Sequence, residues 1–146
     1  MNTTPRHIRL WRVSLNLALT GTVLFAAVLV LWPDLTRGGF SWMIYGDPQR
    51  LSQLQPDVQA YIDLVHRILG ATILGWASLL LLLSMRGPQG SQQHPWGMML
   101  LSLFLWFIPD TWVSIVTGFW QNAVFNSVFL LILGAPLGLL FWSSLN

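Results

Sequence analysis

The stretch Ala60 to Arg86, AYIDLVHRILGATILGWASLLLLLSMR, constrains the fold more than any other part of the chain. It is long and apolar enough to cross a bilayer, which takes about 20 helical residues. Inside hydrocarbon the backbone must satisfy its own hydrogen bonds, so a stretch of this kind is a helix. Yet its first third carries Asp63, His66 and Arg67. A charge at membrane depth costs about 3 kcal/mol even on lenient insertion scales, so this segment demands a partner.

Three further apolar runs surround it. The chain has 146 residues, 54% of them hydrophobic and only 8% charged, against about 25% charged in ordinary soluble proteins. This is the composition of an integral membrane protein. All seven basic residues are Arg and all five acids are Asp, and the net charge of +2 is too small and scattered for a nucleic-acid surface. Cysteine is absent, which excludes disulfides, thiolate metal sites and a cysteine nucleophile.

A short basic arm with Arg6, Arg9 and Arg12 precedes the run from Val13 to Trp32. That run is about 20 residues long, beyond the 7–15 of a secretory signal core, and reads as an uncleaved first span. Asn16 and Thr20, one turn apart, and Ala18 and Thr22 suit interhelical packing and hydrogen bonding. Pro33-Asp34 ends the run and opens one long connection, whose tract Gly38 to Gly46 mixes glycines and aromatics. Two roles compete for it, a lid or an interfacial aromatic anchor.

The second span starts near Pro56-Asp57 and is stopped by Arg86-Gly87-Pro88. Ala71 and Gly75, followed by Ser78, form a face that another helix can approach closely, and the leucines beyond Leu79 read as lipid-facing. A short polar loop, Gly87 to His94, leads to the third span, which opens at Pro95 and is interrupted by Pro109-Asp110. Proline there removes a helical hydrogen bond and should kink the helix, freeing carbonyls for Ser114 or a neighbour. Gly118 to Gln121 reads as a tight turn into the fourth span, whose Gly134, Pro136 and Gly138 permit close packing.

The fold expected is therefore all-α: a polytopic membrane protein, a four-transmembrane-helix bundle forming one domain over 1–146. Its spans lie near 12–32, 59–85, 95–118 and 121–143, with an outer aromatic loop at 33–58. Arg6, Arg9, Arg12 and Arg86 outnumber Arg37 and Arg50 on the other side, which puts both termini inside. In a bacterial inner membrane the aromatic loop would then face the periplasm.

Depth gathers the polar residues. Counting from mid-span, Arg67 lies ~7 Å and Asp110 ~5 Å toward the outside, so an Arg67–Asp110 pair is expected. Asp63 stands three residues before His66 and four before Arg67, on one helical face. Asp63, His66, Arg67, Asp110, Ser114, Asn122 and Asn126 are expected to line one polar pocket in the outer half. Either they form a structural ion pair with its neighbours, or they bind a ligand, or His66 ligates a cofactor. Haem needs a second His at the same depth, and His7 and His94 sit in the inside loops. One axial His could hold a magnesium pigment, though a His beside an Asp is more often simply hydrogen-bonded. Zinc and copper lack ligands, and no base–nucleophile spacing marks a hydrolase. Of the nine Trp, Trp11, Trp32, Trp96, Trp120 and Trp142 fall near span ends as anchors; Trp76, Trp106 and Trp112 lie deeper.

The segments HRILGATILGWASLLLL and LWFIPDTWVSIVTGFWQNAVFN resemble the small four-helix membrane proteins grouped as DoxX-like and BphX-like. Arg67, Gly70, Asp110, Gly118 and Asn126 carry the likeness. It implies the four-helix fold and, since some members associate with electron-transfer complexes that reduce quinone, a membrane partner. The function expected is a non-catalytic binding or accessory subunit holding a lipid-like or quinone-like molecule or a partner helix. The alternative is a small transporter or proton-coupled carrier using Asp110 and Asp63. The cofactor is left open. The partners expected are the lipid bilayer and either other membrane subunits or a homo-oligomer.

Overall fold

Pro33 and Asp34 begin a helix where a loop is expected. The computed structural model describes residues 6–86 and 95–145, and these form five α-helices without a strand. They are α1 (Arg6–Leu31), α2 (Pro33–Tyr45), α3 (Pro56–Met85), α4 (Trp96–Val116) and α5 (Trp120–Leu145), with a 3₁₀ turn at Arg50–Gln53. Four of them, all but α2, are long and apolar enough to cross a membrane, so the chain is a multi-pass, all-α membrane protein. The loop 87–94 with His94, residues 1–5 and Asn146 lie outside the described residues.

The boundaries differ from expectation in two instructive places. The basic arm is helical from Arg6 onward, because nothing between Arg6 and Val13 breaks the helix that the apolar run propagates. The connection at 33–58 is mostly ordered structure. Proline suits the first helical turn, where its missing N–H costs nothing, and Asp34 faces the positive end of the helix dipole. The glycine pair at Gly38-Gly39 does not break α2. On its buried face Arg37 and Ser41 are held by bonds to residues beyond the helix, which outweigh the propensity loss. Gly46 stops the helix with φ 71°, its N–H returning 2.8 Å to the Trp42 carbonyl.

The chain divides into two units, and both α1 and α3 contribute to each. The first comprises Met1–Thr20 with Leu79–Asn146. Here α4 and α5 pack together across the turn at Gly118, where φ is 84° and the Phe119 N–H reaches back 2.8 Å to the Ser114 carbonyl. Met99, Leu103, Leu133, Leu137 and Leu140 fill this unit's core. A Cβ on Gly134 would lie 3.5 Å from Leu103 and one on Gly97 3.1 Å from Phe141, whereas Gly138 meets nothing within 4 Å. Ser84 donates to the Asn16 side chain at 2.6 Å, the interhelical bond expected of Asn16. Leu79 and Leu82 are exposed as expected of a lipid face, but Leu80 and Ser84 between and beyond them are buried. Trp96 is buried beneath the Arg12 guanidinium, not an exposed anchor, while Trp112 is exposed.

The second unit is Gly21–Ser78. Its tightest contact is Gly70, whose added Cβ would fall 2.7 Å from the Leu29 Cβ and 2.9 Å from the Ala26 carbonyl oxygen. The close approach is therefore at Gly70, one face away from Ala71 and Gly75. Ala71 and Gly75 are exposed, and a Cβ at Gly75 would meet nothing within 4 Å.

Candidate functional site

The seven expected residues fall into two sets. Asp63, His66 and Arg67 lie on α3 in the Gly21–Ser78 unit, whereas Asp110, Ser114, Asn122 and Asn126 lie on α4 and α5 in the other.

In the Gly21–Ser78 unit the organising side chain is Arg37, which the sequence places in a loop. It is only 8% exposed, yet every edge of its guanidinium is engaged. Nη1 donates to both carboxylate oxygens of Asp63, at 2.8 and 2.7 Å. Nη2 reaches Asp34 Oδ1 at 2.6 Å, one turn back on α2, and Nε points to Ser52 Oγ at 3.4 Å. Arginine suits this position because its planar, permanently charged fork can serve several acceptors at once. Buried Ser41 ties the adjoining turn down, donating 2.6 Å to the Asp47 carbonyl and accepting the Leu51 N–H at 3.2 Å. Gln59 on α3 donates to the carbonyls of Ser52 and Leu54 at 2.9 and 2.7 Å. Segment 33–55 is thus clamped onto α3 by polar contacts.

Asp63 is therefore consumed by Arg37. The helical spacing sets it beside His66 and Arg67 in sequence, but its carboxylate turns across to α2. His66 stacks on Phe40 of α2 with ring centroids 4.8 Å apart and planes 20° from parallel, and its Nδ1 is buried without a hydrogen-bond partner. Arg67 is exposed, and its Nη1 donates 2.9 Å to the carbonyl of Val30. That carbonyl lies in the last turn of α1, where backbone acceptors lack helical donors and a cation is favoured by the dipole.

In the other unit Asp110 follows Pro109 within α4 and is half-buried. Asn122 Nδ2 donates to Asp110 Oδ1 at 3.2 Å and to Ser114 Oγ at 2.8 Å. Ser114 Oγ donates 2.7 Å to the backbone carbonyl of Asp110, with a longer 3.4 Å approach to its Oδ1. This is not the expected rescue, because Pro109 frees the carbonyl four residues earlier, at Leu105, and Ser114 bonds that of Asp110 instead. Asn126, 2% exposed, donates to Thr111 Oγ1 at 3.4 Å. Asp110, Ser114 and Asn122 thus come together, Asn126 bonds Thr111 instead, and among the described residues the donors to Asp110 are neutral. The expected Arg67–Asp110 pair would join residues of different units; within its own unit each has the partners just given.

Among the described residues no group of three His, Asp or Glu side chains gathers as a metal site. No protein-family model, curated protein or solved structure matches the chain. Sequence reasoning missed Arg37, Asp34, Phe40 and Ser41. A signal was present: Asp34, Arg37 and Ser41 recur at three and four residues, the period of a helical face, directly after a proline suited to a helix start.

Proposed function

We propose that the chain is a small, non-catalytic accessory subunit of a membrane assembly, recognising its partner through polar groups held inside the bilayer. The observation that carries this is Asp110, a half-buried carboxylate in a membrane-length helix served only by neutral donors. Intramembrane ionisable groups of this kind mark partner, ligand or ion contacts. A partner helix is the occupant favoured here, with a lipid-like or quinone-like molecule as the small-ligand form of the same role. The likeness of the α3 and α4–α5 segments to DoxX-like and BphX-like proteins would set such a subunit beside an electron-transfer complex. His66 and Arg67, with Asp110, Ser114, Asn122 and Asn126, are the residues proposed for recognition, while Asp63 is taken up by Arg37. Detergent purification with mass spectrometry tests the role: a stoichiometric companion should co-purify and be lost from Asp110→Asn. A chain that purifies alone, with no bound organic molecule, would count against it.

The position of Asp110 beside Pro109 supports one second reading, a small proton-coupled carrier using Asp110 and Asp63. Flux into proteoliposomes that vanishes in Asp110→Asn would select it over the accessory role.

For localisation we propose the bacterial inner membrane with both termini cytoplasmic, supported by four Arg against two. Cysteines placed singly in this cysteine-free chain report it. From outside intact cells, an impermeant thiol reagent should label Trp42→Cys and Asp47→Cys but spare Gln89→Cys and Asn146→Cys. The reverse pattern inverts the topology.

A further inference from the structure

Four arginines belong to the unit formed by Met1–Thr20 and Leu79–Asn146, and the acids of the chain lie elsewhere. Arg6, Arg9 and Arg12 stand in the first turns of α1, and Arg86 directly follows α3. The aspartates stand at 34, 47, 57, 63 and 110, so this unit holds one acidic side chain, Asp110. Asp110 lies ~21 Å along α4 from Trp96, the ring against which Arg12 sits. Among the described residues the ion pairs are both made by Arg37, in the other unit.

Arg12 is the centre of this basic field. It is half-buried, its guanidinium carbon lies 5.8 Å from the centroid of the buried Trp96 ring, and its Nε is covered without an acceptor. Stacking on an aromatic face holds a guanidinium in place but satisfies none of its N–H groups. A planar fork held this way, with no carboxylate in reach, is matched by phosphate, whose oxygens it can bind two at a time. Arg9 is exposed one turn before Arg12 on the same side of α1. Ser84 donates to Asn16, one turn after Arg12, so exposed Arg86 stands two residues from a direct contact with that face.

The surroundings suit a lipid. Arg12 directly precedes the apolar run that starts at Val13, which places its charge at the headgroup level of the bilayer. Val13 and Leu17 follow Arg9 at four-residue steps and are exposed, as is Leu10. A phospholipid with its phosphate at the arginines would lay an acyl chain along that apolar stripe.

We propose that this end of the unit binds the phosphate of an anionic phospholipid, with Arg12 at the centre and Arg9 and Arg86 beside it. Basic recesses between membrane helices take such headgroups, and one arginine near the surface is worth about fivefold in affinity. A zwitterionic lipid is disfavoured because its own ammonium already balances its phosphate. The topology rule accounts for arginines at this end of the helices. It does not require one of them to be half-buried on a tryptophan with a covered, unpaired N–H. Lipid binding here is independent of the accessory role and of any protein partner.

Native mass spectrometry of the full chain in mild detergent tests it, with phosphatidylglycerol and phosphatidylcholine of identical acyl chains as probes. Phosphatidylglycerol should bind about tenfold more tightly, and Arg12→Gln should cut that preference about fivefold. The double variant Arg9→Gln/Arg86→Gln changes only exposed side chains and should cut it by a comparable factor, so it decides the matter even if Arg12→Gln fails to fold. Arg50→Gln removes the same charge from an exposed position outside this unit and should leave the preference unchanged. An equal loss in Arg50→Gln would overturn the site, because net charge alone would then explain the binding. Equal affinity for the two lipids would overturn it as well, and so would a preference that survives the Arg9 and Arg86 changes. Inorganic phosphate in large excess should not displace the lipid; displacement would overturn the lipid assignment in favour of a free anion.

Discussion

Asp63 and Asp110 are both half-buried carboxylates on membrane-length helices, and the chain treats them in opposite ways. Asp63 meets a buried arginine at 2.7 Å, and that arginine is itself saturated by Asp34 and Ser52. Asp110 meets an amide at 3.2 Å and a hydroxyl at 3.4 Å, neither of which carries an opposite charge. Four of the five aspartates lie in the Gly21–Ser78 unit, while Asp110 alone represents them in the other. The two carboxylates differ in what holds them. Asp63 is matched by a forked, buried arginine that ties α2 to α3. Among the described residues Asp110 is met by neutral groups, which is why it carries the recognition role proposed above.

The largest effect is expected from removing Arg37 or Asp63. Arg37→Met alone leaves Asp63 unmatched, which costs about 3–5 kcal/mol for a buried pair, whereas Asp63→Leu leaves Arg37 its second carboxylate, Asp34, and should cost less. The expected result is a large loss of folded protein in mild detergent, partly recovered in the double variant, read by denaturant titration of Trp fluorescence. If the single variants are as stable as the parent, Arg37 is not a clamp and the two carboxylates are alike.

A smaller effect is expected at the glycine contact of the same unit. Gly70→Ala drives a methyl toward Leu29 and the Ala26 carbonyl, an overpacking that costs about 1–3 kcal/mol. Gly75→Ala should leave monomer stability unchanged, since its surroundings are open. Equal losses at the two positions would show that both faces of α3 are covered in the folded chain.

The smallest effect should come from Asp110. Asp110→Asn or Asn122→Ala removes a neutral-donor contact, and intramembrane hydrogen bonds average about 0.6 kcal/mol. Either variant should fold nearly normally while association, not stability, changes. A destabilisation as large as that of Arg37→Met would erase the distinction between the two carboxylates.

The four long helices were legible because bilayer thickness and backbone satisfaction leave no other solution for runs this apolar. The Asp110, Ser114 and Asn122 set was legible too, since a short turn at Gly118 folds α5 back along α4 and brings position 122 near 110. The role of Arg37 was not. Glycines at 38 and 39 argue against a helix locally, and only contacts with residues more than ten positions away override that local preference. The partner of Asp63 was hidden for the same reason: helical spacing offers His66 and Arg67, but which way a carboxylate turns is decided by the element packed against it. Gly70 does not stand out from Ala71 and Gly75 in the sequence, because small residues occur all around that part of α3. Periodicity alone does not say which of those faces meets α1.

The Arg37–Asp63 clamp also sets an order of assembly. Arg37 is synthesised 26 residues ahead of Asp63, and by the time Asp63 is added α2 is complete and α3 barely begun. Until α3 arrives, Asp34 is the only carboxylate of the clamp yet made, and it can neutralise the arginine from within its own helix. Asp34 therefore serves twice: it still holds Nη2 of the arginine at 2.6 Å in the finished fold, and before Asp63 has been made it is a carboxylate within reach along the same helix.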